Sequence, residues 1–203
     1  MPPATRIRPF ERQDIAALYD ICLKTGDSGQ DATSLYADPR LIGEIYAAPY
    51  GRLQPDLAFV AQDEQGVAGY VIGTADTRAF EARQEAEWWP RLRKVHPSPA
   101  GPPSTPDERL VYRIHHPFAV PQLVVDAAPA HLHINLLPRL QGQGMGKALI
   151  DTLRDALRQA GADRVHLGCA PINHRALRFY DVYGFARLET GGTDAIWMTL
   201  DID

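Results

Sequence analysis

Cysteine is scarce: Cys22 and Cys169 are the only two in 203 residues, one in a predicted helix and one ending a predicted strand. Two isolated thiols build neither a disulfide framework nor a zinc site, so both read as half-buried apolar side chains. Long apolar runs are missing too. No stretch approaches the roughly 20 residues that cross a bilayer, and no signal-peptide core follows Met1-Pro2-Pro3-Ala4-Thr5-Arg6. The expectation is a cytoplasmic protein with no membrane partner. Basic residues are outnumbered, 21 Lys and Arg against 25 Asp and Glu for a net charge of −4, and they are mixed along the chain. The basic stripe that nucleic acid requires is therefore lacking, which excludes that partner. No internal repeat is visible. What is present, 45% hydrophobic and 23% charged residues, suits one domain over residues 1–203 with a full core.

Periodicity gives the order of elements. Ile7-Arg8-Pro9-Phe10 reads as a strand, and Ile15, Leu18, Tyr19 and Cys22 recur at helical spacing behind Asp14. A loop at 24–31 follows, then a short helix through Leu41, Ile42, Ile45 and Tyr46 that Pro49 and Gly51 are expected to close. Apolar runs 57–61 and 67–73 flank Asp63-Glu64-Gln65-Gly66 as a hairpin of two central strands. Residues 77–117 read as a partly helical insertion with a proline-rich loop, not a domain boundary. A strand from His131 to Leu137 stops at Pro138. An amphipathic helix marked by Leu149, Leu153, Ala156 and Leu157 ends at Gly161, and a strand (165–169), a helix (173–183) and a last strand (196–200) complete the chain.

Between the 131–137 strand and the next helix lies Gln141-Gly142-Gln143-Gly144-Met145-Gly146-Lys147. A strand, a glycine turn and a helix start aim backbone N–H groups and a helix dipole at one point, which suits a pyrophosphate. Spacing separates the cofactor classes that use such loops. A magnesium-nucleotide loop needs glycine at position 141 and Ser or Thr at 148, where Gln141 and Ala148 stand. A dinucleotide fingerprint starting at Gly142 needs glycine at position 147, where Lys147 stands, and it belongs early in the chain.

The remaining pattern, Gln141, Gly144 and Gly146, resembles the acyl-CoA loop of the GNAT acetyltransferase superfamily. A second motif, Asn173 and Ala176, then Phe179-Tyr180 and Gly184-Phe185, is similar to the signature that follows the fifth strand in that superfamily, one helix and one strand after the first motif. The resemblance covers nearly the whole chain, the 77–117 insertion being the main departure. It implies an α/β fold with a mixed, mostly antiparallel sheet flanked by helices, acetyl-CoA as acyl donor, no metal, and direct acetyl transfer to a primary amine of a small molecule or a protein lysine. Homodimers are common in the superfamily. Segments 38–46, 59–70 and 74–80 further resemble the acetyltransferase-like C-terminal domain of animal O-GlcNAcase, in which the glycine loop is lost. This chain keeps the loop, which implies a CoA-competent relative; the same likeness implies a rival, a pseudo-acetyltransferase serving as a binding module.

Carried onto this sequence, the resemblance places cofactor contacts at the loop residues 141–147 and at the backbone of Leu136, Leu137 and Pro138, where the fourth strand splays from the fifth. Asn173 is expected near the pantetheine or phosphate, or as a helix N-cap. Tyr180 is the general acid by the same resemblance, a phenol that keeps its proton at neutral pH. For the base, His131, His133 and Asn135 share one strand face; His133 is nearest the splay, and proton removal through water is the alternative. Asn135, Asp27, Ser28 and Asp31 are candidates for the acceptor side, loop carboxylates favouring a cationic amine. Trp88, Trp89 and Tyr112 read as packing for the insertion, and the adjacent His115 and His116 diverge too far to pair on a metal.

Overall fold

The computed structural model describes residues 5–192 and 194–202; residues 1–4 of the leader reading lie outside them. Strand β1 (Arg6–Pro9) leads into α1 (Ile15–Lys24), α2 (Leu41–Tyr46) and α3 (Ala48–Leu53). The hairpin β2 (Ala58–Asp63) and β3 (Gly66–Thr74) follows, then α4 (Thr77–Arg83), α5 (Trp89–Val95), α6 (Pro106–His115) and α7 (Gln122–Ala127). The second half runs β4 (Ala130–Leu136), α8 (Met145–Gln159), β5 (Arg164–Cys169), α9 (His174–Tyr183), β6 (Ala186–Leu188) and β7 (Ile196–Asp201).

Among the described residues the strands form one sheet in the order β1-β2-β3-β4-β5-β7-β6. Every neighbouring pair is antiparallel except β4 with β5. That parallel pairing is short, Ala130 with Val165 and His131 with His166. Beyond it β4 runs on to Leu136 and β5 to Cys169 without pairing to each other, so the sheet opens at its centre.

Two layers cover the sheet. On one face α8 buries Leu149, Ile150, Leu153 and Leu157; a Cβ on Gly73 of β3 would meet Leu153, so the partners Gly73 and Leu132 face that layer. Alternation then turns His131, His133 and Asn135 to the opposite face. There α1 and α3 pack on β3, and Tyr50 of α3 and Phe80 of α4 stack with ring centroids 4.5 Å apart.

Local chemistry sets the helix ends. Asn173 caps α9 and Gly184, at φ +116°, ends it. Thr105 and Glu108 form a reciprocal capping box on α6. Pro49 and Gly51 do not close a helix as expected: Pro49 sits in the first turn of α3, where its missing N–H costs nothing. A widened π-turn (Gln84–Trp88) joins α4 to α5 just before Pro90, whose ring a regular helix interior would not accept. Helix α7 and strand β6 are additions that the sequence reading did not contain. Cys22 and Cys169 are both buried, Cys22 on the inner side of α1 and Cys169 at the end of β5, so the half-buried expectation is corrected for each.

Candidate active site

The loop after β4 turns tightly because Gly142 and Gly144 take φ values of +72° and +77°, a region costly for residues with a Cβ. A Cβ at either position would meet nothing within 4 Å, so open space adjoins both glycines. Gly146 differs: it lies in the first turn of α8, and there a Cβ would come within 3.2 Å of the Phe179 ring. Its missing side chain lets α8 and α9 approach. In α8, Ala148 N–H donates to the Gly144 carbonyl at 3.1 Å, no side chain caps the helix start and no acidic residue sits in its first turn. The N–H groups of Met145, Gly146 and Lys147 therefore point out of the helix end with the positive pole of a 15-residue helix behind them.

Side chains tie this loop to its neighbours. Gln141 Nε2 donates to the Leu136 carbonyl at 2.7 Å, and Arg175 of α9 donates to Gln141 Oε1. Gln143 Nε2 donates to the Arg139 carbonyl at 2.7 Å, and Arg139 is ion-paired with Asp63 of the β2–β3 hairpin at 2.7 Å. Lys147 pairs with Asp151 one turn further along α8, so its ammonium points along the helix.

The open edge of β4 presents backbone groups. Leu137 N–H donates to the Ala68 carbonyl at 2.8 Å, in register with the β3 ladder. By alternation Ile134 and Leu136 turn their N–H and C=O groups away from β3, into the gap. Pro138, at the start of a 3-10 turn, contributes no donor.

Three histidines meet on the other face. His131 is satisfied on both nitrogens: Thr77 Oγ1 donates its only proton to the Pro129 carbonyl at 2.6 Å, so at 2.8 Å from His131 Nδ1 it must accept. Nε2 then accepts from the Tyr50 hydroxyl at 2.6 Å. Burial pushes the His131 pKa well below its ordinary value, and its hydrogen bonds make it a structural residue. His133 is different. Its ring lies edge-on to Tyr50 at 5.4 Å and makes no hydrogen bond among the described residues. Burial, with His166 nearby, lowers its pKa to about 4, so it is neutral at physiological pH. His166 Nδ1 donates to the Ala128 carbonyl at 2.6 Å, which leaves its buried Nε2 without a partner.

Tyr180 stands on α9, its ring 5.4 Å from Phe179 and 5.5 Å from Phe185. Its hydroxyl has no hydrogen-bond partner among the described residues. Burial first, and Cys169 second, raise its pKa above the usual phenol value. Packing and a protonated hydroxyl thus coexist in one side chain. Asn173 Oδ1 is occupied as the α9 cap, accepting from Ala176 N–H at 3.1 Å, and its amide group faces Gly29.

Asp27, Ser28 and Gln30, of the loop expected to border the acceptor, line a surface groove of about 380 Å³ with Asn173, His174 and Arg175. Asn135 Nδ2 donates to Thr25 Oγ1 at 2.5 Å, which fastens the root of that loop to β4. Asp31 does not line the groove; its carboxylate is engaged by the N–H and hydroxyl of Thr33 in a local turn. Trp88 and Trp89 are buried, Trp88 donating to the Glu44 carbonyl at 2.8 Å, while Tyr112 is largely exposed. His115 is turned to the His96 carbonyl and His116 stacks on Tyr112. No group of three or more potential metal ligands exists among the described residues.

Residues 110–185 match the model of the Acetyltransferase (GNAT) family. The chain is 41% identical to SsHAT, whose crystal structure superposes with a TM-score of 0.92, covering 99% of this chain and 100% of that one. The chain belongs to the GNAT acetyltransferase family. The activity general to GNAT proteins is acetyl transfer, and they use acetyl-CoA. This GNAT chain is also 26% identical over 180 residues to the protein O-GlcNAcase of Rattus norvegicus, matching 88% of this chain and 20% of that protein; it spans about a fifth of the length of the O-GlcNAcases it resembles. A shorter match, 41% over 63 residues, links it to the mycothiol acetyltransferase of Beutenbergia cavernae, across 30% of this chain and 21% of that protein.

Several residues of this candidate site escaped the sequence reading. Arg175 lies inside a motif already read, but only the fold reveals that it reaches back to Gln141. Tyr50, Thr77 and Thr25 carry no motif at all; each acts through a partner more than 50 positions away.

Proposed function

We propose that this chain transfers the acetyl group of acetyl-CoA directly to a primary amine, of a small molecule or a protein lysine, in the cytoplasm. One observation carries the reading: the gap between β4 and β5 opens beside a glycine loop that leads into a helix start with no side-chain cap. Acetyl-CoA supplies an activated thioester carbonyl. The loop from Gln141 to Lys147 holds the pyrophosphate, with Asn173 beside it. Backbone N–H groups at the gap, that of Leu136 above all, hold the pantetheine arm and polarise the carbonyl oxygen; Leu137 and Pro138 shape that edge without donating to it. The Tyr180 hydroxyl gives its proton to the leaving sulfur. His133, or a water on it, takes the proton of the attacking amine, whose positive charge Asp27 favours on approach.

A second reading, a module that binds acetyl-CoA or CoA without turnover, is favoured by the same imidazole: a pKa near 4 makes His133 a weak base. A panel of amines and lysine peptides, incubated with acetyl-CoA and followed by thiol release and mass spectrometry, separates the two. Acetylated product with stoichiometric thiol supports transfer. Tight acetyl-CoA binding with every acceptor unmodified would replace the enzyme with the module.

A further inference from the structure

Helix α6 has two faces. Leu110 and Ile114 are buried, whereas Arg109, Tyr112, Arg113 and His116 follow the i, i+3, i+4, i+7 spacing of a single opposite stripe. With Pro117 and Phe118 that stripe lines a surface groove of about 480 Å³. Tyr112 and Phe118 are 45% and 54% exposed, unusually high for rings of that size. The Tyr112 ring lies 4.3 Å from that of His116, and the Arg113 guanidinium lies 5.5 Å over Phe118.

Charge distinguishes the groove from its surroundings. Three of the four arginines earlier in the same segment are neutralised in ion pairs, Arg78 with Glu81, Arg83 with Glu87 and Arg93 with Glu85, and the fourth, Arg91, lies over the Trp88 ring. The guanidinium groups of Arg109 and Arg113 enter no ion pair or hydrogen bond among the described residues, and no carboxylate lines the groove. In a chain of net charge −4, this is a local surplus of positive charge among aromatic rings, complementary to carboxylates set among apolar side chains. The groove also leads towards the gap. Phe118 stacks on Trp197 of β7 with 6.4 Å between centroids, and Trp197 packs over Gly168, on the stretch of β5 that has parted from β4.

We infer that this groove docks an acidic segment of a protein, glutamate or aspartate interspersed with aromatic or proline residues, and so positions an amine elsewhere on the same chain for acetylation at the gap. The acceptor role rests on the acetyl-transfer reading; the docking does not. The test is fluorescence anisotropy with the full chain and a short fluorescein-labelled peptide of alternating glutamate and tyrosine carrying one lysine. Saturable binding is expected, weakened by salt, and weakened about tenfold by the double substitution Arg109→Gln and Arg113→Gln. Tyr112→Ser, at an exposed position, is expected to weaken it as well. Acetyl-CoA affinity of each variant serves as the control for folding and should not change.

Equal affinity for a glutamine-for-glutamate peptide, unchanged binding by the double variant, or tighter binding of a single-stranded DNA oligonucleotide than of the peptide would overturn the docking. Where the peptide is acetylated, the double variant should raise its KM about tenfold and leave kcat alone; an equal KM overturns docking while acetyl transfer stands. Charge-dependent binding with no acetylation leaves the docking intact and removes the acceptor role.

Discussion

Acidification to about pH 5 should weaken the fold through His131, His133 and His166, whose pKa values burial holds low. An imidazole that resists protonation when folded leaves the unfolded chain binding more protons, so stability rises with pH through the window between the two pKa values. For His133 the window runs from about 4 in the folded chain to about 6.5 unfolded. Its contribution is fully present above the unfolded value and lost as pH falls towards the folded one. By about pH 5 the loss is about 2 kcal/mol, and partial exposure of the ring to water reduces it to roughly 1–2 kcal/mol. His131 and His166, both lowered by burial, act in the same direction. Asp63 and Glu85, held low by Arg139 and Arg93, lose their contributions only below about pH 4.5, below the range compared. Urea denaturation at about pH 7.5 and pH 5 measures the loss. The His133→Gln protein should lose roughly 1–2 kcal/mol less than the wild type, a difference of about 0.5 M in the midpoint shift. Identical losses in the two proteins would refute the assignment of a depressed pKa to His133.

Tyr180→Phe should lower kcat roughly 10- to 100-fold in steady-state thiol release, with acetyl-CoA affinity nearly unchanged; an unaltered kcat would return Tyr180 to a packing role between Phe179 and Phe185. Tyr50→Phe removes the donor to His131 Nε2 and should cost about 1–3 kcal/mol of stability by denaturant titration. A loss below about 0.5 kcal/mol would mean that the hydroxyl is not needed there.

Legibility from sequence followed the range of the interaction. The α8 stripe, the β2–β3 hairpin and the turn at Gly142 and Gly144 depend on near neighbours, and their periodicity or spacing is written locally. Pro49 misled because proline at a helix start and proline after a helix end look alike without the chain path. Strand β6 is three residues long and held by β7, too short to leave a period. Within the site, Gln141 was legible as a motif position, but its bridge from Arg175 to the Leu136 carbonyl exists only once α9 packs beside the loop. The alternation of β4 put His131 and His133 on one face correctly; it could not say that Tyr50 and Thr77 would claim one imidazole and leave the other open.

Calorimetric titration of acetyl-CoA into the wild type and into Gly144→Glu tests the cofactor loop most directly. The substitution places a carboxylate, and a Cβ at a backbone φ of +77°, where phosphate is proposed to sit. Saturable binding by the wild type, abolished in a variant whose circular dichroism is unchanged, is the predicted result. Absence of binding by the wild type at millimolar acetyl-CoA, or equal affinity in the variant, would contradict it.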